Sequence, residues 1–173
     1  MTQDPEQLFE DLAKACPELM EKSQIGEHFG VDAGWFNIID VLCRCIYDPV
    51  AQAKYRFRAA SEYPRDDNGK YLSECSRELA DAIETLPTVV QVKEKYGTLR
   101  FYVRSADDRV SALIDFAEAM SGCTCEVCGD VGKSDNAGWI KTHCAKHRRS
   151  DPDDAQNEIQ DGPVSPKFQD DEV

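Results

Sequence analysis

The sequence predicts an α+β fold in which helices pack on a β-hairpin, followed by a C-terminal zinc finger and a disordered acidic tail. Up to about residue 86, apolar residues recur every three or four positions, and between residues 90 and 103 they recur every second position. The first spacing is typical of amphipathic helices and the second of half-buried strands. A length of 173 residues suits one domain with a small attachment. We divide the chain into a helical and hairpin domain (1–122), a zinc finger (123–149) and a tail (150–173).

The first element is a helix that begins at Asp4-Pro5. An aspartate followed by proline places a capping carboxylate before the first helical turn, where proline loses no hydrogen bond. Pro17 is expected to interrupt or restart this helix. Its apolar stripe comprises Leu8, Leu12, Cys16 and Leu19.

Three further helices are predicted before the hairpin, separated by loops at 26–34 and 63–69. One covers about 35–47, and a separate one covers about 50–61 because Asp48-Pro49 resembles a second cap and first turn. The next helix ends before Pro87. Its stripe comprises Leu72, Cys75, Leu79, Ile83 and Leu86.

A β-hairpin is predicted over residues 90–103, with Gly97 supplying a positive φ at the turn. Val90 and Val92 on one strand, and Leu99, Phe101 and Val103 on the other, are expected to face the core. The opposite face carries Lys93, Lys95, Arg100 and Tyr102. Asp107 then caps a helix that runs to about Ser121.

Two close pairs, Cys125-x-x-Cys128 and Cys144-x-x-His147, predict a metal site. Zinc prefers four thiolate or imidazole ligands in a tetrahedron, and two residues between partners let one turn direct both at the same ion. Cys123 and His143 are close enough in sequence to replace a ligand. Four protein ligands close the coordination sphere, so we expect one structural zinc ion.

The order of the elements around this site favours a treble-clef finger, with a zinc ribbon as the alternative. A knuckle at Cys125–Gly129 precedes a short hairpin near residues 138–141, and Cys144 and His147 are expected on the first turn of a short helix.

The net charge of −13 is unevenly distributed: −8 over residues 1–86, +2 over 87–149 and −7 over 150–173. An acidic chain repels phosphates, which disfavours indiscriminate nucleic-acid binding. The tail is too polar to offset the entropy cost of ordering, so we expect it to be disordered. It is either a solubilising appendage or a mimic of nucleic-acid charge.

The chain has neither an apolar run of eighteen residues nor the charged start and apolar stretch of a signal peptide. We therefore expect neither membrane insertion nor export. A cytoplasmic location is expected, with reduced cysteines.

Cationic and aromatic side chains on the hairpin form the candidate binding surface. Such a mixture suits either a nucleic acid or an acidic protein, although it also occurs on ordinary sheet surfaces. The surface comprises Lys93, Lys95, Tyr96, Arg100 and Tyr102.

Three parts of the chain resemble a family of small proteins from tailed phages and prophages. They are Gly34–Asp40 (GWFNIID), Gln91–Val103 (QVKEKYGTLRFYV) and the Cys/His region with its CEVCG and GWIKT segments. The resemblance covers roughly residues 30–147. It implies a phage or prophage setting and a zinc site, and it supplies no catalytic residues.

These observations favour a non-catalytic protein that binds a host or phage protein in the bacterial cytoplasm during infection, for example to inhibit a factor of defence or nucleic-acid handling. One alternative is direct nucleic-acid binding through the basic hairpin and finger. Another is a metal-dependent nuclease in which Asp81 and Glu84 act with Gln91-x-Lys93. The oligomeric state does not follow from the sequence.

Overall fold

A computed structural model describes residues 4–26, 29–65, 68–135 and 139–148, and within these ranges the chain forms five α-helices and two small antiparallel hairpins. The helices are α1 (Pro5–Ala15), α2 (Pro17–Lys22), α3 (Phe36–Glu62), α4 (Lys70–Glu84) and α5 (Asp108–Ser121), with a 3-10 turn at Ala33–Trp35; the strands are β1 (Thr88–Lys95), β2 (Thr98–Arg104), β3 (Lys133–Asp135) and β4 (Lys141–His143). The predicted mixture of helices with a small antiparallel sheet is confirmed. The predicted tail at 150–173 lies outside the described residues.

The N-terminal helices follow the capping pattern of the sequence. The carboxylate of Asp4 accepts a hydrogen bond from the Glu6 N–H at 3.2 Å, and Pro5 occupies the first turn of α1. Cys16 ends α1, and Pro17 begins α2 directly after it. Proline therefore restarts the helix in a new direction here, as predicted.

A single 27-residue helix, α3, replaces the two helices predicted on either side of Pro49. The predicted break at Asp48-Pro49 is wrong. Proline has no N–H for the carbonyl four residues earlier, which is that of Cys45. Arg109 of α5 supplies the missing donor, because its Nη2 lies 2.6 Å from the Cys45 oxygen. The interior proline is thus tolerated with a tertiary hydrogen bond in place of a helical one.

Helices α4 and α5 pack along α3, and α5 also covers β2. Asp107 caps α5 as predicted, since its carboxylate accepts a hydrogen bond from the Val110 N–H at 2.7 Å. The core that these elements enclose is predominantly aliphatic and aromatic. Its largest members that are almost completely shielded from solvent are Leu12, Leu19, Trp35, Phe36, Ile39, Ile46, Val50, Val89 and Leu99.

The β1–β2 hairpin contains a bulge that the alternating pattern does not reveal. Val89 pairs with Val103 and Gln91 pairs with Tyr102, so Val90 has no opposite residue. Val89 and Val92 are consequently the buried valines of β1, and Val90 is only half-buried. The prediction that Val90 faces the core together with Val92 is wrong, because one extra residue reverses the alternation.

Both edges of this hairpin are occupied. Gly30 lies along β1, donating to the Val92 carbonyl and accepting from the Glu94 N–H, each at 2.9 Å. On the β2 edge, the Leu99 N–H donates to the Ser121 hydroxyl and the Phe101 N–H donates to the Glu118 carboxylate. Helix α5 therefore supplies side chains where a third strand would otherwise pair.

Among the described residues, no helix combines the length and the apolar character that crossing a bilayer requires.

Candidate metal centre

The first pair of candidate ligands lies on a tight knuckle directly after α5. The N–H of Gly129 donates to the Cys125 carbonyl at 2.9 Å, which folds Cys125–Cys128 into a turn. Gly129 has a φ of +79°, in the left-handed region that favours glycine. The N–H of Cys125 in turn donates to the Asp130 carbonyl at 2.7 Å. These bonds direct both thiols of the knuckle toward one point.

The second pair follows the β3–β4 hairpin, which returns the chain to the knuckle. Lys133 pairs with His143, and Asp135 pairs with Lys141. After β4, the N–H groups of His147 and Arg148 both donate to the Cys144 carbonyl, at 3.0 and 2.9 Å. Cys144–His147 is a hydrogen-bonded turn in the structure, and the short helix expected there stays a prediction.

The four candidate ligand atoms form one compact cluster. The sulfurs of Cys125, Cys128 and Cys144 and one ring nitrogen of His147 all lie within 4.8 Å of one another. The Cys128 and Cys144 sulfurs are 3.7 Å apart. His147 Nδ1 lies 3.3 Å from the Cys144 sulfur and 3.5 Å from that of Cys125. This cluster could hold a metal ion, and its residues are the four predicted from the sequence.

The surroundings of Cys144 and Cys128 shift the pKa values of the two thiols in opposite directions. Burial acts to raise the pKa of Cys144, but the backbone N–H groups of Lys146 and His147 and the neighbouring thiols outweigh it and hold the pKa at about 6. The backbone N–H of Asp130 acts to lower the pKa of Cys128, but desolvation and the adjacent Cys144 and Cys125 thiols raise it to about 11. A cation that binds here displaces the protons of the thiols, because the thiolate is the metal ligand.

The two substitute ligands lie outside the cluster. Cys123 is exposed, and its thiol contacts the Met120 carbonyl at 3.2 Å. His143 is nearly buried, and its Nε2 lies 3.6 Å from a carboxylate oxygen of Glu126. Neither belongs to the group of four that the structure brings together.

The Cys/His segment, which we define as the described residues from 123 to 148, contacts the helical part of the protein through Gly34 and Trp35. The Gly34 N–H donates to the Glu126 carbonyl at 2.8 Å. A methyl group at position 34 would lie 2.1 Å from the Cys125 carbonyl oxygen, so only glycine allows this approach. The indole N–H of Trp35 donates to the Thr124 carbonyl at 2.8 Å.

The tip of the β1–β2 hairpin makes the second contact with this segment. The Thr142 hydroxyl donates to the Gly97 carbonyl at 2.6 Å, and both residues are buried. Gly97 has the predicted positive φ, at +74°. The Cys/His segment therefore contacts both the 3-10 turn at Ala33–Trp35 and the tip of the β1–β2 hairpin.

A buried ion-pair network also joins the knuckle to β1. Lys141 Nζ lies 2.7 Å from the Glu126 carboxylate and 3.5 Å from that of Glu94. Burial acts to lower the pKa of Lys141, but the two carboxylates outweigh it and raise the pKa above its usual value. The ammonium group therefore stays charged and neutralises the buried Glu126. Sequence reasoning missed Glu126, because a residue between two cysteines of a knuckle carries no sign of burial.

Four of the five residues of the predicted hairpin surface form two lysine–tyrosine pairs, and the surface as a binding site stays a prediction. Lys93 Nζ lies 5.4 Å from the centre of the Tyr102 ring, and Lys95 Nζ lies 5.3 Å from that of Tyr96. Arg100 is instead engaged by α5, where its Nη1 lies 3.2 Å from the Glu118 carboxylate. We call Lys93, Lys95, Tyr96 and Tyr102 the cation–aromatic patch.

The acidic residues of the nuclease alternative lie on α4. Asp81 lines a groove between α3 and α4 together with Glu78, Arg56 and Arg109. Lys93 is not among the residues that line this groove. The nuclease alternative gains no support from this placement and stays a prediction.

Compared with known proteins, the chain matches no family model, no curated protein and no solved structure.

Proposed function

We propose that the Cys125, Cys128, Cys144 and His147 cluster binds one structural zinc ion within a treble-clef-like finger. Zinc–sulfur bonds of about 2.3 Å and zinc–nitrogen bonds of about 2.0 Å place tetrahedral ligand atoms about 3.5 to 3.8 Å apart. Three of the six separations, at 3.3, 3.5 and 3.7 Å, lie close to these values, and all four atoms lie within 4.8 Å of one another, which supports a shared ion. Three thiols and one imidazole also favour zinc over calcium or magnesium, which prefer oxygen ligands.

On this basis we propose that the protein is a non-catalytic binding protein of the bacterial cytoplasm, and that it acts on a host or phage protein during infection. The closed set of four ligands carries the proposal, because a zinc ion with four protein ligands has no position for a catalytic water. The sequence resemblance to phage and prophage proteins supports the setting. Large exposed side chains, among them Trp139 and Phe116, support a protein partner.

The zinc proposal is tested by elemental analysis of the purified full chain. One zinc ion per chain is expected in the wild type, and Cys144→Ser should reduce this content strongly. Cys123→Ser is the matched control, because that thiol lies outside the cluster. Full zinc content in Cys144→Ser, or its loss in Cys123→Ser, would contradict the assignment.

The protein-binding proposal is tested by affinity capture from bacterial lysate, with and without added nuclease, followed by mass spectrometry. A stoichiometric protein partner that survives nuclease treatment is expected. If the retained proteins are nucleic-acid-associated and are all lost on nuclease treatment, the proposal fails in favour of direct nucleic-acid binding.

The cation–aromatic patch favours direct nucleic-acid binding as the second candidate function. Its tyrosines offer rings on which bases stack, and its lysines can contact phosphates. Binding of fluorescent single-stranded DNA should then weaken as salt rises, and it should be lost in Lys93→Ala/Lys95→Ala. The control is Lys14→Ala, whose charge lies on α1. If Lys93→Ala/Lys95→Ala binds the DNA as well as Lys14→Ala does, the cation–aromatic patch is excluded as the binding site.

A further inference from the structure

An apolar groove of about 330 Å³ lies between α3 and α5. The residues that line it follow a three-four-residue spacing on both helices, so each helix presents one continuous stripe. The stripe of α3 contains Ile38, Val41 and Cys45, and that of α5 contains Leu113, Phe116 and Met120.

The groove exposes large side chains that no described part of the chain covers. Phe116 is 67% exposed and Val41 is 58% exposed, which is unusual for such residues when they stand beside each other. Almost all of the accessible atoms in the lining are apolar. The surface therefore favours a ligand that contributes apolar side chains.

Because the lining offers almost no polar atoms, it also limits the backbone conformation that a bound peptide segment can have. An extended segment that entered this groove would bury N–H and C=O groups without partners, at a substantial cost in free energy. A helix has already satisfied these groups internally and presents only its side chains. Recognition of an amphipathic helix in a groove between two helices meets this requirement.

A second copy of the chain fits poorly. Of the residues in the lining, three are exposed large apolar side chains: Phe116, Val41 and Met120. A stable dimer buries about 800 Å² on each partner. Two copies that each carry a net charge of −13 also repel each other. Both arguments favour a smaller partner segment of opposite charge.

The charges beside the groove point to a basic partner. Asp48 follows Cys45 by three positions on α3, Asp115 directly precedes Phe116 on α5, and both are exposed. Two cations of the same helices are engaged within the protein: Arg44 Nε lies 2.8 Å from the Asp40 carboxylate, and Arg109 donates to the Cys45 carbonyl. An occupant with lysine or arginine along its polar face therefore complements both the local charge and that of the whole chain.

We propose that the groove between α3 and α5 docks an amphipathic α-helix of a partner protein, with aliphatic residues on one face and basic residues on the other. This inference rests on the proposed function, since it names the surface that a protein partner would occupy.

The test uses a fluorescein-labelled synthetic peptide of eighteen residues, with leucine at i, i+3, i+4 and i+7 spacing and lysine elsewhere. Its fluorescence anisotropy is measured against the full zinc-loaded chain at physiological salt. Saturable binding is expected, and Phe116→Ser should weaken it at least about tenfold, because a buried aromatic anchor dominates such contacts. The same peptide with glutamate for lysine should bind more weakly.

Two controls separate groove binding from general adhesion. Tyr55→Ser removes a similarly exposed ring of α3 that is not part of this lining, and it should leave the affinity unchanged. A peptide of the same composition in scrambled order should bind weakly. The proposal is overturned if the patterned peptide does not bind, if Phe116→Ser binds it as the wild type does, or if order makes no difference. A wild-type dimer that Phe116→Ser dissociates in sedimentation would also overturn it.

Lysate capture with the wild type and Phe116→Ser distinguishes this inference from the proposed function. If both proteins retain a partner equally, the groove is excluded as its docking site, and the proposed protein-binding function still stands. If no protein is retained by either, the proposed function fails, whereas the peptide measurement still decides whether the groove accepts a basic helix. Thermal melting and circular dichroism confirm that the variant is folded, as expected for an exposed position.

Discussion

Individual residues determine how closely the Cys/His segment approaches the rest of the protein. The backbones of the two parts approach most closely at Gly34. Its N–H donates to the Glu126 carbonyl, and no space remains for a side chain. This constraint comes from a neighbouring backbone, which cannot move aside as a flexible side chain would. The glycine is therefore required for packing, independently of any turn.

We predict that Gly34→Ala lowers the free energy of unfolding by at least about 2 kcal/mol, because the new methyl group must displace the Cys125 carbonyl. The measurement is chemical denaturation of the zinc-loaded protein. Gly122→Ala is the control: Gly122 has a φ of −66°, and its nearest neighbour would be 3.3 Å from a new Cβ. Equal effects of the two substitutions would refute the packing argument.

A second residue-scale prediction concerns acid stability. Glu18 accepts a hydrogen bond from the Tyr47 hydroxyl and lies 2.6 Å from Lys54 Nζ. Burial acts to raise the pKa of Glu18, but these two partners outweigh it and lower the pKa below its ordinary value of 4.5. The Glu18 carboxylate therefore binds a proton more tightly in the unfolded chain than in the folded protein. Its contribution to stability is complete above the pKa of the unfolded state and is lost as the pH falls through the pKa of the folded state.

Glu18→Gln should therefore reduce stability by about 1 to 2 kcal/mol at pH 7 and make the melting temperature less sensitive to acid below about pH 4.5. Melting temperatures measured between pH 7 and pH 3 test this. Glu10→Gln is the control, because Glu10 is mostly exposed and pairs with Lys14 at 3.6 Å. An unchanged acid response in Glu18→Gln would contradict the expected linkage.

At the scale of elements, α3 shows how a tertiary contact overrides a local signal. An aspartate-proline pair normally starts a helix, and Pro49 instead lies inside one. Proline has no N–H to donate to the Cys45 carbonyl, and the guanidinium group of Arg109 from α5 donates to it instead. This hydrogen bond therefore links α5 to α3 at the position where the helical donor is missing.

This coupling predicts a double-mutant cycle. Arg109→Met should cost about 1 kcal/mol in the wild-type background, since the Cys45 carbonyl loses its donor. The same substitution should cost much less with Pro49→Ala, which restores the helical N–H. Denaturation of the four proteins gives the coupling energy. Additive effects would show that the two residues act independently.

Local patterns predicted α1, α2, α4, α5 and the turn at Gly97, because capping residues and apolar stripes determine these elements within short stretches. They could not predict the bulge at Val90 or the continuity of α3, which depend on partners distant in sequence. For the candidate site, ligand spacing indicated the cluster of four. The buried Glu126–Lys141 pair was not predictable, because nothing in the local sequence shows which charged residues the fold will enclose.

At the scale of the whole molecule, the cysteines divide into distinct chemical classes. Cys16, Cys43 and Cys75 are buried, and Cys123 is exposed. Burial raises the pKa of Cys16 to about 11 and raises that of Cys43 as well, so both stay protonated at neutral pH. A protonated and inaccessible thiol reacts slowly.

We predict that iodoacetamide labels Cys123 first in the zinc-loaded protein, and that chelation then exposes Cys125, Cys128 and Cys144. Mass spectrometry of the intact protein and its peptides follows both stages. Cys123→Ser should remove the fastest labelling, leave only the half-buried Cys45 to react in the first stage, and retain the second stage. Rapid labelling of Cys16 or Cys43 before denaturation would contradict the buried core, and labelling of the cluster thiols unaffected by chelation would contradict the metal assignment.

The position of the Cys/His segment along the chain has a consequence for biosynthesis. Its contacts on Gly34, Trp35 and Gly97 are translated well before the segment itself leaves the ribosome. With zinc as the ion, docking of the segment also needs the metal. A chain made without zinc would leave the Trp35 indole N–H and the Gly97 carbonyl without the partners that this segment supplies. Zinc supply during synthesis would therefore determine how much fully assembled protein forms.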